Sequence, residues 1–118
     1  MSRVQEILLR KRARELRLKS SLAYITEQLC DLGALKIVLF GSLARGDVDT
    51  DSDLDLLVIM PASVSGKEWT DIIYTQVERG IASDIIVYSQ DEFESRLPES
   101  SFLQDIMASG RVVYEKAI

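Results

Sequence analysis

The chain has 118 residues, of which 47% are apolar and 28% are charged, and its formal net charge is −5. This length predicts a single domain over residues 1–118, and no apolar run approaches the roughly 20 residues that a membrane-spanning helix needs. Histidine is absent, which excludes Ser-His-Asp or Cys-His catalysis and an ordinary zinc site. Any metal ion would therefore be held by oxygen ligands, which favours Mg²⁺ or Mn²⁺.

A long helix is predicted over about residues 3–32, ended by Gly33. Apolar residues recur at helical spacing in its second half, namely Leu18, Leu22, Ile25, Leu29 and Leu32. The first half has a weaker apolar stripe and could project or dock elsewhere. Residues 1–19 carry a net charge of +5, whereas the rest of the chain carries −10.

The basic half of this helix has two interpretations. It is either a solvated face or a contact surface for an acidic partner or a polynucleotide. The acidic balance of the whole chain argues against nucleic acid as a direct substrate.

The charged, helical N-terminus does not have the pattern of a signal peptide, and this predicts a cytoplasmic location without membrane contact. Cys30 is the only cysteine, which excludes an internal disulfide and a CxxC motif. We interpret Cys30 as a packed thiol because its surroundings in the predicted helix are largely apolar.

The rest of the chain alternates short apolar runs with helical segments. Strands are predicted at 36–40, 53–60, 84–88 and 111–114, and helices at 42–45, from a capping box at Ser65 to Gly80, at 91–97 and at 101–109. The order predicts an α/β (α+β) fold in which helices flank a small mixed sheet, with a core over about 36–115.

Two aspartates follow a predicted glycine turn at a short distance along the chain. Gly41 and Ser42 follow the first predicted strand, and ten residues separate Ser42 from Asp53. Asp53 and Asp55 are two apart on a predicted strand, so their side chains should share one face and could share metal ions. Asp84 begins the next strand and is the candidate third ligand. The alternative to a metal site at Asp53 and Asp55 is a polar loop that continues into a strand.

The turn itself suits a phosphate. Gly41 allows close approach of the backbone, and Ser42 adds a hydroxyl at the start of a short helix. Arg45 lies one turn further along and could reach the same phosphates. Its rival role is a surface ion pair with Asp47 or Asp49.

Residues 41–58, GSLARGDVDTDSDLDLLV, closely resemble the signature of the DNA polymerase beta-like nucleotidyltransferases, and most of all its minimal group (MNT). The resemblance implies the small mixed α/β nucleotidyltransferase fold. It implies that Gly41 and Ser42 form the triphosphate-binding turn and that Asp53 and Asp55 bind metal. Asp84 would be the third carboxylate, which also helps to deprotonate the acceptor hydroxyl.

The resemblance also implies a Mg²⁺-dependent enzyme with two ions and with ATP as substrate. Many minimal members act as antitoxins that transfer AMP to a tyrosine of a partner ribonuclease toxin of the HEPN family. The small size of the chain supports an acceptor supplied by another molecule.

Two alternatives stay open. The acceptor could be a small molecule, as in aminoglycoside-modifying relatives, or the chain could be a non-catalytic nucleotide-binding partner protein. The sequence is compatible with an oligomer.

Overall fold

The computed structural model describes residues 2–117, so Met1 and Ile118 of the predicted domain lie outside the described residues. The elements are α1 (Arg3–Asp31), β1 (Lys36–Phe40), α2 (Ser42–Arg45), β2 (Leu54–Met60), α3 (Gly66–Gln76), β3 (Ser83–Ser89), α4 (Gln90–Arg96), α5 (Ser101–Ser109) and β4 (Arg111–Glu115), with a 3-10 turn at Leu97–Glu99. Their order is the predicted one, and the mixed α/β fold class is confirmed.

The predicted end of helix α3 is wrong and has a tertiary cause, whereas the other predicted boundaries agree with the structure to within one residue. Helix α3 ends at Gln76, well before Gly80, because Val77 turns extended and is buried in the core. The next residue, Glu78, then bonds through its backbone N–H to Gln28 of α1 at 2.8 Å. Strand β2 begins at Leu54, one residue later than predicted.

The four strands form one mixed sheet in the order β3-β2-β1-β4. Strand β1 is antiparallel to both β2 and β4, whereas β2 and β3 are parallel. A parallel pair needs a crossover connection, which here contains α3. Because β2 and β3 are parallel, their first residues lie side by side at the same end of the sheet.

Helices cover both faces of the sheet. Side chains alternate between the faces of a strand, and β2 is nearly all buried because both of its faces are covered. On one face Leu54, Leu56, Val58 and Met60 share a core with residues of α1 and α3. On the other face Leu57 and Ile59 pack with residues of α4 and α5. Cys30 packs against the first core, as predicted.

Helix α1 is only half covered. It begins at Ser2, whose side chain and that of Gln5 form a capping box. Its buried residues all lie in the second half, and residues 3–10 are exposed. Of the two possibilities for the first half, projection and docking elsewhere, the structure shows residues 3–10 projecting, and the molecule is elongated, at 54 × 30 × 24 Å. None of the helices within residues 2–117 is long and apolar enough to cross a membrane.

Candidate active site

The turn after β1 is in direct contact with a carboxylate of β2. Gly41 has φ of 78°, and a Cβ built on it would lie 2.1 Å from Oδ2 of Asp55. No other residue fits there without a shift of Asp55, and the positive φ independently favours glycine. The chain needs this glycine because β1 and β2 are antiparallel neighbours, with Phe40 paired to Asp55.

Asp55 and Asp84 come together through the register of the parallel pair. They are direct partners in the ladder between β2 and β3, and neighbouring strands lie about 4.8 Å apart. Asp55 is partly buried and Asp84 is exposed. Both side chains belong to the face that α4 and α5 cover further along the sheet, so they stand at its open end.

The surroundings of Asp55 disfavour its charged form. Burial is the largest cause that raises the pKa of Asp55, followed by repulsion from Asp84 and then from Asp53. Arg45 opposes these effects and lowers the pKa in part. Asp84 and Asp53 are thus both close enough to act electrostatically on Asp55.

Asp53 differs from the other two carboxylates. It precedes β2, its side chain is 56% exposed, and its Oδ1 lies 3.7 Å from Nη2 of Arg14 on α1. Within residues 2–117 no three acidic or thiol side chains lie close enough together to form a ready metal-binding group. The structure therefore brings Gly41, Asp55 and Asp84 together and places Asp53 at the border of the site.

Arg45 forms the surface ion pair with Asp47 that was the alternative to phosphate binding. Its Nε lies 3.3 Å from Oδ2 of Asp47, and both side chains are about 60% exposed. Ser42 starts α2 directly after the turn, half exposed, and Gly46 ends this short helix. The loop arrangement leaves Ser42 beside the Gly41–Asp55 contact and directs Arg45 along the acidic loop.

Sequence reasoning missed the role of α1 in this region. Arg14 donates from Nε to the carbonyl of Ser52 at 2.8 Å, and Arg17 donates to the carbonyl of Gly80 at 3.2 Å. The side chain of Gln28 donates to the carbonyl of Glu78 at 2.7 Å. These carbonyls lie in the two loops that precede β2 and β3. Periodicity along α1 carries no signal for such contacts, because each partner is 38 or more residues away.

Comparison with known proteins identifies the class. The family model described as a nucleotidyltransferase domain matches residues 22–113, so the chain belongs to this family of enzymes, whose substrate is a nucleoside triphosphate. The matched segment includes the Gly41 turn and all three carboxylates.

Two individual relatives carry more specific names than the family. The chain is 32% identical over 81 residues to "Putative protein adenylyltransferase MJ0604" of Methanocaldococcus jannaschii, covering 67% of this chain and 77% of the relative. It is 36% identical over 52 residues to MJ0141 of the same organism, which carries the same descriptive name, over 44% of this chain and 52% of the relative.

A solved structure agrees on the fold. A crystal structure from Sulfolobus solfataricus, described as a putative nucleotidyltransferase, superposes with a TM-score of 0.64 over 91% of this chain and 88% of that chain. The sequence identity is 15%, so this similarity concerns the fold. It is consistent with the polymerase beta-like fold expected from residues 41–58.

Proposed function

We propose that this chain is a Mg²⁺-dependent enzyme that transfers AMP from ATP onto a hydroxyl of a partner protein. The observation that carries the proposal is the contact between the Gly41 turn and the Asp55 carboxylate, with Asp84 beside Asp55 on the next strand. Nucleotidyl transfer needs a phosphate-binding turn next to carboxylates that can hold a divalent cation.

The residues fit such a cation. Asp53, Asp55 and Asp84 offer only oxygen donors, which Mg²⁺ and Mn²⁺ prefer. Within residues 2–117 neither Asp55 nor Asp84 has an ion-pair partner, and burial, followed by repulsion from Asp84 and Asp53, raises the pKa of Asp55. When bound, one or two ions would stabilise the charge that develops on the phosphates.

The remaining roles follow from position. Gly41 and Ser42 would bind the triphosphate through backbone N–H groups and the Ser42 hydroxyl. Arg45 would exchange its exposed pair with Asp47 for the same phosphates. The acceptor oxygen would attack the α-phosphorus, the bond to pyrophosphate would break, and Asp84 would accept the hydroxyl proton.

The acceptor is the finer part of the proposal. Two relatives are named as protein adenylyltransferases, which supports a protein acceptor here. The resemblance of residues 41–58 to minimal nucleotidyltransferases favours a HEPN-family toxin as this partner, with the chain acting as its antitoxin in the cytoplasm. The exposed, basic first half of α1 is the candidate contact surface for it.

The test uses ATP labelled on the α-phosphate, with Mg²⁺, in an extract of the native host. We expect wild-type protein to label one protein band and Asp55→Asn to label none. Asp51→Asn is the matched control, since Asp51 is an exposed residue of the same acidic loop and the charge change is the same. ATP labelled on the γ-phosphate should label nothing through this enzyme, because pyrophosphate leaves.

Three outcomes separate the possibilities. A labelled protein that depends on Asp55 supports the proposal, and mass spectrometry then identifies the acceptor and the modified residue. A labelled small molecule would redirect the proposal to the aminoglycoside type of acceptor. Equal labelling by wild type and Asp55→Asn would contradict the assigned site.

A further inference from the structure

Arg14 lies on the inner side of α1, beside the point where β2 begins. Its side chain is 19% exposed, whereas the neighbouring Arg12 is exposed. One guanidinium contacts two successive residues: Nε donates to the carbonyl of Ser52 at 2.8 Å, and Nη2 lies 3.7 Å from Oδ1 of Asp53.

These two contacts would affect a metal site in opposite directions. The hydrogen bond fixes the backbone that carries Asp53, whereas the positive charge beside Asp53 competes with a cation. The hydrogen bond is short, partly buried and made by a charged donor, so it is the stronger contact. The ion pair is long and Asp53 is 56% exposed, so water weakens it. We therefore expect the fixed backbone to outweigh the competing positive charge, so that Arg14 favours metal binding at Asp53.

Little else holds this stretch against the body of the protein. In the described structure the other hydrogen bonds of residues 49–52 join the stretch to itself, for example from the N–H of Asp49 to the hydroxyl of Ser52. The ion pair between Lys11 and Asp49 is 4.0 Å long and exposed. Val48, earlier in the loop, packs against the core, so Arg14 is the main polar link between α1 and residues 49–52.

We propose that Arg14 is a positioning residue for nucleotidyl transfer. It anchors Ser52 and Asp53 to α1, so that the Asp53 carboxylate stays within reach of the site formed by Asp55 and Asp84. The inference rests on the proposed function of Asp53 and acts through that residue.

The test compares Arg14→Ala with Arg14→Lys in the full chain. Arg17→Ala is the matched control, because it also removes one hydrogen bond between α1 and a loop, in this case to Gly80. Arg12→Ala controls for charge alone. Two readouts are used: affinity for Mn²⁺ without nucleotide, from the EPR signal of the free ion, and hydrogen exchange of the amides of residues 47–55.

In Arg14→Ala we expect the Mn²⁺ affinity to fall about tenfold and exchange over residues 47–55 to accelerate. Both control variants should keep Mn²⁺ affinity within about twofold of wild type, and Arg17→Ala should accelerate exchange near Gly80 instead. Arg14→Lys should recover little of the lost Mn²⁺ affinity, because an ammonium cannot make both contacts in the planar geometry of a guanidinium.

Several results would overturn the inference. Unchanged or tighter Mn²⁺ binding in Arg14→Ala would mean that Arg14 is only a competing cation, and full restoration by Lys would mean that charge alone matters. Unchanged exchange would mean that Arg14 holds nothing in place. If wild type itself binds no Mn²⁺, the proposed metal site fails and this role fails with it. Should Arg14→Ala not fold, as judged by circular dichroism, Arg14→Gln replaces it in the same comparison.

Discussion

At the scale of single residues, two glycines with a similar positive φ have different surroundings. Gly41 and Gly46 have φ of 78° and 77°. A Cβ at Gly41 would meet the Asp55 carboxylate, whereas a Cβ at Gly46 would meet nothing within 4 Å. The backbone also differs, because ψ is −157° at Gly41 and 23° at Gly46. Alanine at Gly41 would therefore combine a conformation that essentially only glycine adopts with the displacement of a site residue.

Gly41→Ala should abolish nucleotide transfer, with a loss of about 100-fold or more, because Asp55 must move. Gly46→Ala should lower the free energy of unfolding by about 1 kcal/mol, from backbone strain alone, and should keep most of the activity. Chemical denaturation and an AMP-transfer assay on both variants check this. Equal activity of the two variants would mean that the Gly41–Asp55 contact does not matter.

Asp55 should make the metal-free protein sensitive to pH. Burial, then Asp84 and Asp53, raise its pKa in the folded state, so the folded state binds the proton more tightly than the unfolded state. Its contribution to stability is therefore present at low pH and is lost as pH rises through the raised pKa. Asp55→Asn should be more stable than wild type at pH 7, and this advantage should shrink as the pH falls towards about 4.

Urea unfolding in the presence of EDTA between pH 4 and pH 8 tests this prediction. Asp51→Asn changes the net charge equally but at an exposed position, and it should match wild type at each pH. A less stable Asp55→Asn at pH 7 would show that the carboxylate has a favourable partner in the folded protein.

At the scale of elements, one carboxylate joins the starts of two helices. Oε1 of Glu92 accepts from the N–H of Gly66, at the start of α3, at 2.8 Å and from the N–H of Ser89, which caps α4, at 3.0 Å. These hydrogen bonds lower the pKa of Glu92, chiefly the backbone bond from Ser89 and then that from Gly66. Glu92 thus ties the crossover helix to the end of β3.

Glu92→Gln should lower the free energy of unfolding at pH 7 by about 1 kcal/mol, because a neutral acceptor makes weaker hydrogen bonds. A lowered pKa means that this stability is present above the ordinary pKa and is lost as pH falls through the folded one, so the difference should shrink once the pH falls below the ordinary pKa of about 4.3. Glu94→Gln is the control, since Glu94 is exposed and accepts only from the Gln90 side chain. Equal stability of both variants would contradict the prediction.

At the scale of the whole molecule, the parts of α1 contribute differently to the fold. Its second half supplies Leu18, Ile25 and Leu29 to the core, and its middle holds the loops before β2 and β3 through Arg14 and Arg17. Residues 3–10 are exposed, and Val4, Leu8 and Leu9 remain more than half exposed. This end of the helix contributes little to the stability of the body of the protein.

Deletion of residues 2–9 should therefore change the free energy of unfolding by no more than about 1 kcal/mol. Deletion of residues 2–14 should cost clearly more, because it also removes Lys11 and Arg14. Urea denaturation of both truncations makes the comparison. A large loss in the shorter truncation would mean that the projecting half supports the fold.

Local sequence pattern was sufficient for the class of fold and for most element positions. Hydrophobic periodicity, capping residues and glycines act over a few neighbouring residues, so the nine predicted elements appear in the predicted order. The clear error lies at Gly80, where distant partners decide where an element ends. Burial of Val77 and the hydrogen bonds between Glu78 and Gln28 end α3 early, although neighbouring residues would allow it to continue.

The features of the candidate site likewise fall into those that follow from local sequence and those that depend on distant contacts. The spacing of Gly41, Asp53 and Asp55 could be read along the chain, because an antiparallel pair of strands brings its own turn back to the second strand. The pairing of Asp84 with Asp55, the burial that raises the pKa of Asp55 and the contact of Arg14 with Asp53 arise only when β3 and α1 pack beside β2. Contacts between segments that far apart depend on packing of the whole chain, which no local pattern encodes.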